Sequence, residues 1–122
     1  MTWTAEMVLA LAPDPASAKA GRDLAVRRKW VTLGRDDAAH GAPVLWGACQ
    51  GSGKDPYLTR VDTTEPAFKC SCPSRKFPCK HSLGLLLLFA QSPGELAAGT
   101  PPDWVAEWLA SRATRAAKRA ER

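Results

Sequence analysis

The chain has 122 residues, of which 17 are Lys or Arg and 12 are Asp or Glu, so its formal net charge is +5. This length supports one modest hydrophobic core, and a hydrophobic fraction of 45% excludes a wholly disordered chain. The longest nearly unbroken apolar run covers only residues 83–90, whereas a membrane-spanning helix needs about 20 residues. No basic segment precedes the apolar residues 7–12, as it would in a secretory signal. We therefore expect a cytoplasmic protein whose cysteines stay reduced.

Residues 1–42 are predicted to form a helical flank that packs on the core of the domain. Thr4 is a good N-cap for a first short helix, Ala5–Leu11. Asp14 is followed by proline, and this pair is typical of the start of a helix, which we extend to about Val26.

The first strand of the chain is expected at Trp30–Leu33. Gly34 follows this short apolar run and is predicted to end the strand. Residues 35–42 are rich in polar side chains and glycine, which favours a loop.

Residues 43–94 are predicted to form the central core. Runs rich in β-branched and aromatic residues, separated by turn residues, indicate three strands, and an apolar segment that ends before Pro-Gly indicates a buried helix. The strands are Val44–Cys49, Tyr57–Asp62 and Ala67–Cys72, and the helix is His81–Gln91.

Residues 95–122 are predicted to form a proline-linked, amphipathic C-terminal helix that begins at Asp103 and carries a basic tail. One stripe of this helix is apolar and is expected to dock on the core between the sheet and the central helix, and another is basic and is expected to be solvated. The tail beyond about Ala113 is expected to bury little surface and to fray. The apolar stripe comprises Trp104, Val105, Trp108 and Leu109, and the basic stripe comprises Arg112, Arg115 and Arg119.

The distribution of the four cysteines is the most informative feature of the sequence. Cys49 stands apart, whereas Cys70, Cys72 and Cys79 lie within ten residues and His81 follows directly. Residues at i and i+2 of an extended segment project to the same side, so each pair can supply two ligands. Three thiolates and one imidazole are a typical ligand set for structural zinc. With four protein ligands, the predicted site has no open position for a catalytic water.

The Cys-x-Cys and Cys-x-His pairs and the short spacer between them resemble the SWIM zinc finger. The resemblance extends over the flanking residues 44–90, which include Trp46 and Tyr57. It implies a zinc-binding module for DNA or protein contacts, without catalytic activity of its own. Together with the predicted strands and helices, the fold class is expected to be α+β: a small antiparallel β-meander with a zinc knuckle and a buried helix, a ββα-like SWIM core, flanked by N- and C-terminal helices.

Basic residues and one aromatic residue surround the predicted zinc ligands, and two interpretations of them stay open. In the first, the loop binds nucleic acid through phosphate contacts and base stacking. In the second, the cations only compensate the net negative charge of three thiolates and one Zn²⁺, and the aromatic ring packs beneath the knuckle. The residues concerned are Lys69, Arg75, Lys76, Phe77 and Lys80.

From these patterns we expect a non-enzymatic module that holds one structural Zn²⁺ and contacts a protein partner in a larger assembly, nucleic acid, or both. DNA is favoured over RNA, and neither a membrane nor a small-molecule substrate is expected. The alternative is a dedicated DNA-binding domain. A thiol-redox protein is less favoured, because nothing near Cys49 in the sequence would lower the pKa of its thiol, and we expect Cys49 to be a buried strand residue.

Overall fold

The computed structural model describes residues 3–37, 42–51, 53–64 and 66–120. In this part of the chain the protein has an α+β fold, with a five-stranded mixed sheet and four α-helices. The helices are α1 (Ala5–Leu9), α2 (Pro15–Leu24), α3 (Lys80–Gln91) and α4 (Asp103–Ala120), and the strands are β1 (Trp30–Asp36), β2 (Val44–Cys49), β3 (Tyr57–Asp62), β4 (Ala67–Cys70) and β5 (Ala97–Ala98). None of the helices described is long and apolar enough to cross a bilayer.

The first two helices begin where the sequence predicts. The Thr4 hydroxyl accepts a hydrogen bond from the Met7 backbone N–H at 3.2 Å, and the Asp14 carboxylate accepts one from the Ser17 backbone N–H at 2.7 Å. Each cap satisfies a backbone donor that has no partner inside the helix. Both helices end two residues before the predicted positions.

The strands follow one another as an antiparallel meander from β1 to β4, which confirms the predicted meander. The fifth strand, β5, pairs in parallel with β1, so the complete order is β4-β3-β2-β1-β5. The sequence did not predict β5, because two alanines show no strand periodicity and lie in a segment rich in Gly and Pro.

The prediction that Gly34 ends the first strand is wrong, since β1 continues to Asp36. Gly34 pairs with Trp46 of β2, and a Cβ atom at this position would collide with the Trp46 indole ring. The missing side chain therefore makes room for the ring instead of breaking the strand. Residues 38–41 of the predicted loop lie outside the described residues.

The predicted third core strand is two residues too long, because β4 ends at Cys70. Ser71 still stays beside β3: its backbone N–H donates to the Leu58 carbonyl at 3.1 Å, and its hydroxyl accepts from the Leu58 N–H at 2.8 Å. The hydrogen bonding to β3 ends with Ser71, and Cys72 follows it.

One face of the sheet, here called the zinc face, is covered by α3, with α1 and α2 packed against that helix. The leucines of α3 are buried almost completely, as its apolar sequence predicts. Glycines allow α2 and α3 to approach closely. A Cβ atom at Gly84 would lie only 2.7 Å from the Leu24 Cβ, and one at Gly21 would lie 2.9 Å from the Leu83 Cβ.

The opposite face of the sheet, here called the α4 face, is covered by the C-terminal helix. Val105 of α4 is fully buried against Val44 and Trp46 of β2, and Trp108 is buried nearby. The apolar stripe was expected on the same core as α3, and this expectation is wrong. Because side chains alternate along a strand, β2 is buried on both faces and serves two separate cores.

The C-terminal helix is longer than expected. It continues as a helix to Ala120 instead of fraying after Ala113, although the residues beyond Ala113 are exposed, as predicted.

Candidate metal centre and finger loop

The four predicted zinc ligands converge on one point. Cys70, Cys72, Cys79 and His81 each offer one ligand atom, and these atoms all lie within 4.8 Å of one another. In a tetrahedral site with Zn–S bonds of about 2.3 Å, neighbouring sulfur atoms are roughly 3.8 Å apart. The cluster is therefore close to the geometry that zinc requires.

The first pair of ligands is held by the sheet. Cys70 is the last residue of β4 and pairs with Thr59 of β3. Ser71 continues the hydrogen bonding to β3. Cys72 therefore follows directly after a backbone segment that the sheet holds in place.

The second pair of ligands is held by the start of α3. Cys79 is the N-cap of this helix, and its Sγ accepts a hydrogen bond from the Ser82 backbone N–H at 3.5 Å. A thiolate is favoured at this position because helix N-termini stabilise negative charge. His81 lies in the first turn, so that the helix itself positions the fourth ligand beside the third.

The thiols titrate differently because they share hydrogen bonds. A bond from Cys70, together with bonds from His81 and Ser82, lowers the pKa of Cys79 to about 3. The same bond to Cys79, followed by burial, raises the pKa of Cys70, and burial raises the pKa of Cys72. Binding of Zn²⁺ would displace the remaining protons, since the metal binds the thiolate form.

Two buried hydroxyl groups contact the sulfur atoms, and sequence reasoning missed both. Thr59 is fully buried, with its Oγ1 3.3 Å from the Cys70 Sγ, and Ser82 is 1% exposed, with its Oγ 3.5 Å from the Cys79 Sγ. A ligating thiolate can only accept, so each hydroxyl would donate to its sulfur. Two features of the sequence could have indicated these contacts: Thr59 is a polar residue in the middle of β3, and Ser82 directly follows His81.

His81 is enclosed by its neighbours. It is buried, its Nδ1 lies 4.0 Å from the Cys79 Sγ, and its ring packs at a tilt against Tyr57 with the ring centroids 4.9 Å apart. Tyr57 thereby restricts the orientation of the imidazole. Such contacts around a ligand are a common means of fixing its orientation.

The aromatic residue of the finger loop, residues 73–78, points outward. Phe77 is 69% exposed, and its ring meets that of Phe68 in a T-shaped arrangement with the centroids 5.9 Å apart. The interpretation that Phe77 packs beneath the knuckle is therefore wrong. The three cysteine ligands, Phe68 and Phe77 line an open cavity of about 190 Å³.

The cations around the site occupy three different environments. Arg75 and Lys80 are exposed, whereas the Lys76 ammonium lies 2.7 Å from an Asp14 carboxylate oxygen at the start of α2. Lys69 pairs across the sheet with Arg60, and the Arg60 guanidinium stacks on Trp104 of α4. Directly paired residues project from the same face, which places Lys69 on the α4 face.

Cys49 is buried in β2, as expected, and its Sγ lies 3.5 Å from the Lys29 carbonyl oxygen. Burial raises the pKa of its thiol. The raised pKa and the burial of Cys49 both oppose thiolate chemistry, whereas the pKa of Cys79 in the cluster is lowered.

The fold and the cluster together define a small α+β zinc-binding module with a Cys3His ligand set. Residues 69–89 match the family model described as the SWIM zinc finger. No curated protein and no solved structure matches the chain. The chain therefore contains a SWIM zinc finger at residues 69–89, and the cluster is consistent with one structural Zn²⁺.

Proposed function

We propose that this chain is a non-catalytic module that binds single-stranded nucleic acid through its finger loop, with zinc holding that loop in shape. The exposed ring of Phe77, with the exposed cations Arg75 and Lys80 near it in the sequence, carries this proposal. The second ligand pair begins at Cys79, so the metal anchors the chain two residues after the ring.

The setting of Phe77 favours stacking on a base. Leaving a ring 69% exposed forgoes most of the free energy that its burial would contribute, which favours a role in binding over a role in packing. Phe68 contacts the ring in a T-shaped arrangement, and most of the ring surface stays exposed. Aromatic side chains in basic surroundings bind single strands because each nucleic-acid base offers a face for stacking.

The exposed cations favour an anionic ligand. Arg75 and Lys80 flank the ring in sequence and are free of ion pairs among the described residues. Lys76 has a different role, since its ion pair with Asp14 ties the loop to α2. We therefore assign the phosphate contacts to Arg75 and Lys80 rather than to the whole set of cations.

The proposal is tested by titrating zinc-loaded protein against labelled single-stranded DNA, double-stranded DNA and single-stranded RNA at several salt concentrations. Phe77→Ala should weaken single-strand binding by the roughly 1–3 kcal/mol that one stacked base contributes. Arg75→Ala should reduce the slope of log K against log salt by about 0.7. The matched control is Val31→Ala, which truncates the other large apolar side chain that is exposed in the described structure.

The proposal is wrong if the wild-type protein binds none of the three ligands at low salt, or if Phe77→Ala behaves like Val31→Ala. A preference for the double strand would contradict the stacking role of Phe77, because bases in a duplex are already stacked.

Protein contact is the second candidate function, and the free edge of β1 favours it. β5 pairs only with Gly34 and Arg35, so the preceding residues of β1 have an open edge in the described structure, and Val31 is 55% exposed there. A bulge at Val31 interrupts the pairing with β2, however, and bulges often protect an edge from further pairing. We therefore rank this candidate below nucleic-acid binding.

A further inference from the structure

A second basic surface lies away from the zinc site, between α4 and the end of β3. It is a groove of about 300 Å³, here called the arginine groove, and its walls carry Arg112, Arg115 and Arg119 of α4. Asp62 and Thr64 line the opposite side. These arginines form the basic stripe that was expected to be solvated. In the structure they line a groove, which the sequence alone did not show.

Among the described residues, the charges that line this groove are not balanced. Arg112 is stacked on Trp108 and lies 3.8 Å from the Asp62 carboxylate, so this pair is close to neutral. Arg115 and Arg119 add two further positive charges, and no acidic residue other than Asp62 lines the groove in the described structure. Both side chains are exposed, and Arg115 donates to the Ser111 hydroxyl at 3.3 Å.

The spacing of the arginines suits a linear chain of anions. They lie three and four residues apart on one helix, which places them about 4.5 Å and 6 Å apart along its axis. Guanidinium groups bind phosphate oxygens through paired hydrogen bonds and are weakly hydrated, which makes arginine well suited to phosphodiester contacts.

Lys69 lies between this groove and the finger loop. It is one residue before Cys70, and it projects from the α4 face beside Arg60. Asp62 of the groove projects from the same face two residues further along β3, a distance of about 7 Å. Lys69 is therefore an exposed cation on the α4 face between the finger loop and the Asp62 side of the arginine groove.

We propose that the arginine groove binds the phosphate backbone of the same single-stranded nucleic acid whose base stacks on Phe77. The proposal rests on the proposed function and extends it, since the nucleic-acid chain would continue from the finger loop past Lys69 to Arg115 and Arg119. An acidic protein segment is the competing occupant. The continuity with the finger loop and the regular spacing favour nucleic acid.

The test compares the zinc-loaded wild-type protein with the double variant Arg115→Ala/Arg119→Ala. Both positions are exposed on a helix, where alanine is well tolerated, so the fold should be unchanged. The matched control is Arg22→Ala/Arg28→Ala, which removes two exposed arginines elsewhere and lowers the net charge equally. The probes are labelled oligothymidylates of about 4 and about 16 nucleotides, the range covered by small single-strand binding modules.

For the long probe, the groove variant should bind on the order of tenfold more weakly than the control, with a salt slope lower by about 1.4, or 0.7 for each lost phosphate contact. For the short probe, which reaches only the finger loop, the groove variant and the control should bind equally.

Equal behaviour of the two double variants with the long probe would overturn the groove proposal, while a defect in Phe77→Ala would still support the proposed function. Failure of the wild-type protein to bind either probe would overturn both. Arginine-dependent binding of polyglutamate, without binding of oligothymidylate, would assign the groove to an acidic protein instead.

Discussion

The two faces of the sheet are built on different principles. On the zinc face, α2 and α3 approach so closely that only glycine fits at positions 21 and 84, and the ligand cluster connects β4 to the start of α3. On the α4 face, Val105 of the helix packs against Trp46 of the sheet, Trp108 is buried, and arginine side chains stack on the indoles of α4.

Because of this difference, we expect the loss of a contact on one face to affect stability differently from the loss of a contact on the other. The zinc face depends on a metal that holds together two segments of the finger, because a small core gains much of its stability from such a link. The α4 face depends on burial of a few large side chains, whose contributions are individually limited. Loss of zinc should therefore affect the whole fold, whereas loss of an α4 contact should leave the metal site intact.

The largest expected effect follows removal of the metal. Chelation of zinc, or Cys72→Ser, should abolish the cooperative unfolding transition, because structural zinc contributes on the order of 10 kcal/mol to the folding of small domains. Circular dichroism during thermal unfolding, combined with metal analysis, would measure this change.

Cys49→Ala is the control for removal of a thiol, since Cys49 lies apart from the cluster. This variant should keep one zinc per chain and unfold cooperatively. A metal-free protein with a cooperative transition would contradict the structural role of zinc.

The next largest effect is expected on the α4 face. Trp108→Ala should lower the free energy of unfolding by about 3–5 kcal/mol, because Trp108 is only 7% exposed and its truncation leaves a large cavity. Zinc content should not change. Chemical denaturation and metal analysis of the same sample would test both statements.

Glu107→Ala serves as the control on the same helix, since Glu107 is exposed, and its effect should stay within about 0.5 kcal/mol. Loss of zinc from Trp108→Ala under native conditions would show that the two faces are not independent.

A smaller effect concerns the hydroxyl next to Cys70. Thr59→Val keeps the shape of the side chain but removes the donor that lies 3.3 Å from the sulfur. Zinc affinity should fall by about 10- to 100-fold, as is typical when a hydrogen bond to a metal ligand is lost. Competition with a chromophoric chelator would measure this affinity.

Thr63→Val is the matched control, because Thr63 is also buried but donates to the Pro43 carbonyl instead of a ligand. It should destabilise the fold without a comparable change in zinc affinity. Equal zinc affinities of the two variants would show that the Thr59 hydroxyl does not contribute to zinc binding.

The smallest effect concerns the link between the finger loop and α2. The hydrogen bond from Lys76, followed by that from the Ser17 backbone, lowers the pKa of Asp14 from 3.8 to about 2. A lowered carboxyl pKa stabilises the folded protein fully above the unfolded value of 3.8, and this contribution disappears as the pH falls toward 2. At neutral pH, the effects of Asp14→Asn and Lys76→Met on unfolding should therefore be non-additive.

Asparagine is itself a good N-cap, so Asp14→Asn keeps the start of α2 while removing the ion pair. The control pair is Asp23→Asn with Lys19→Met, whose partners are more exposed and 3.7 Å apart. Additive effects at Asp14 and Lys76 would show that the loop is not coupled to α2.

Much of this fold could be predicted because its signals are local. The N-caps Thr4 and Asp14, the meander strands and the four zinc ligands each depend on residues close in sequence. Cap chemistry, strand alternation and ligand spacing act over a few residues, so that no knowledge of distant contacts is needed.

The sequence-based predictions failed at residues whose role depends on a partner from another part of the chain. Gly34 was interpreted as a strand end because the ring of Trp46 that fills its place belongs to the next strand. From the sequence alone, Phe77 could lie beneath the knuckle or on its outside. In the structure its ring is exposed and contacts Phe68. Likewise, Lys76 was grouped with free cations because its partner, Asp14, is far away in sequence.

The sequence by itself determined the metal, its ligands and the α+β character of the protein, since short-range spacing specifies each of them. The tertiary structure decided how the net charge of +5 is distributed. It pairs Lys76, turns Lys69 to the α4 face, and groups Arg112, Arg115 and Arg119 in one groove. The physical reason is that strand register and helix docking, which no local pattern encodes, decide which charges face one another.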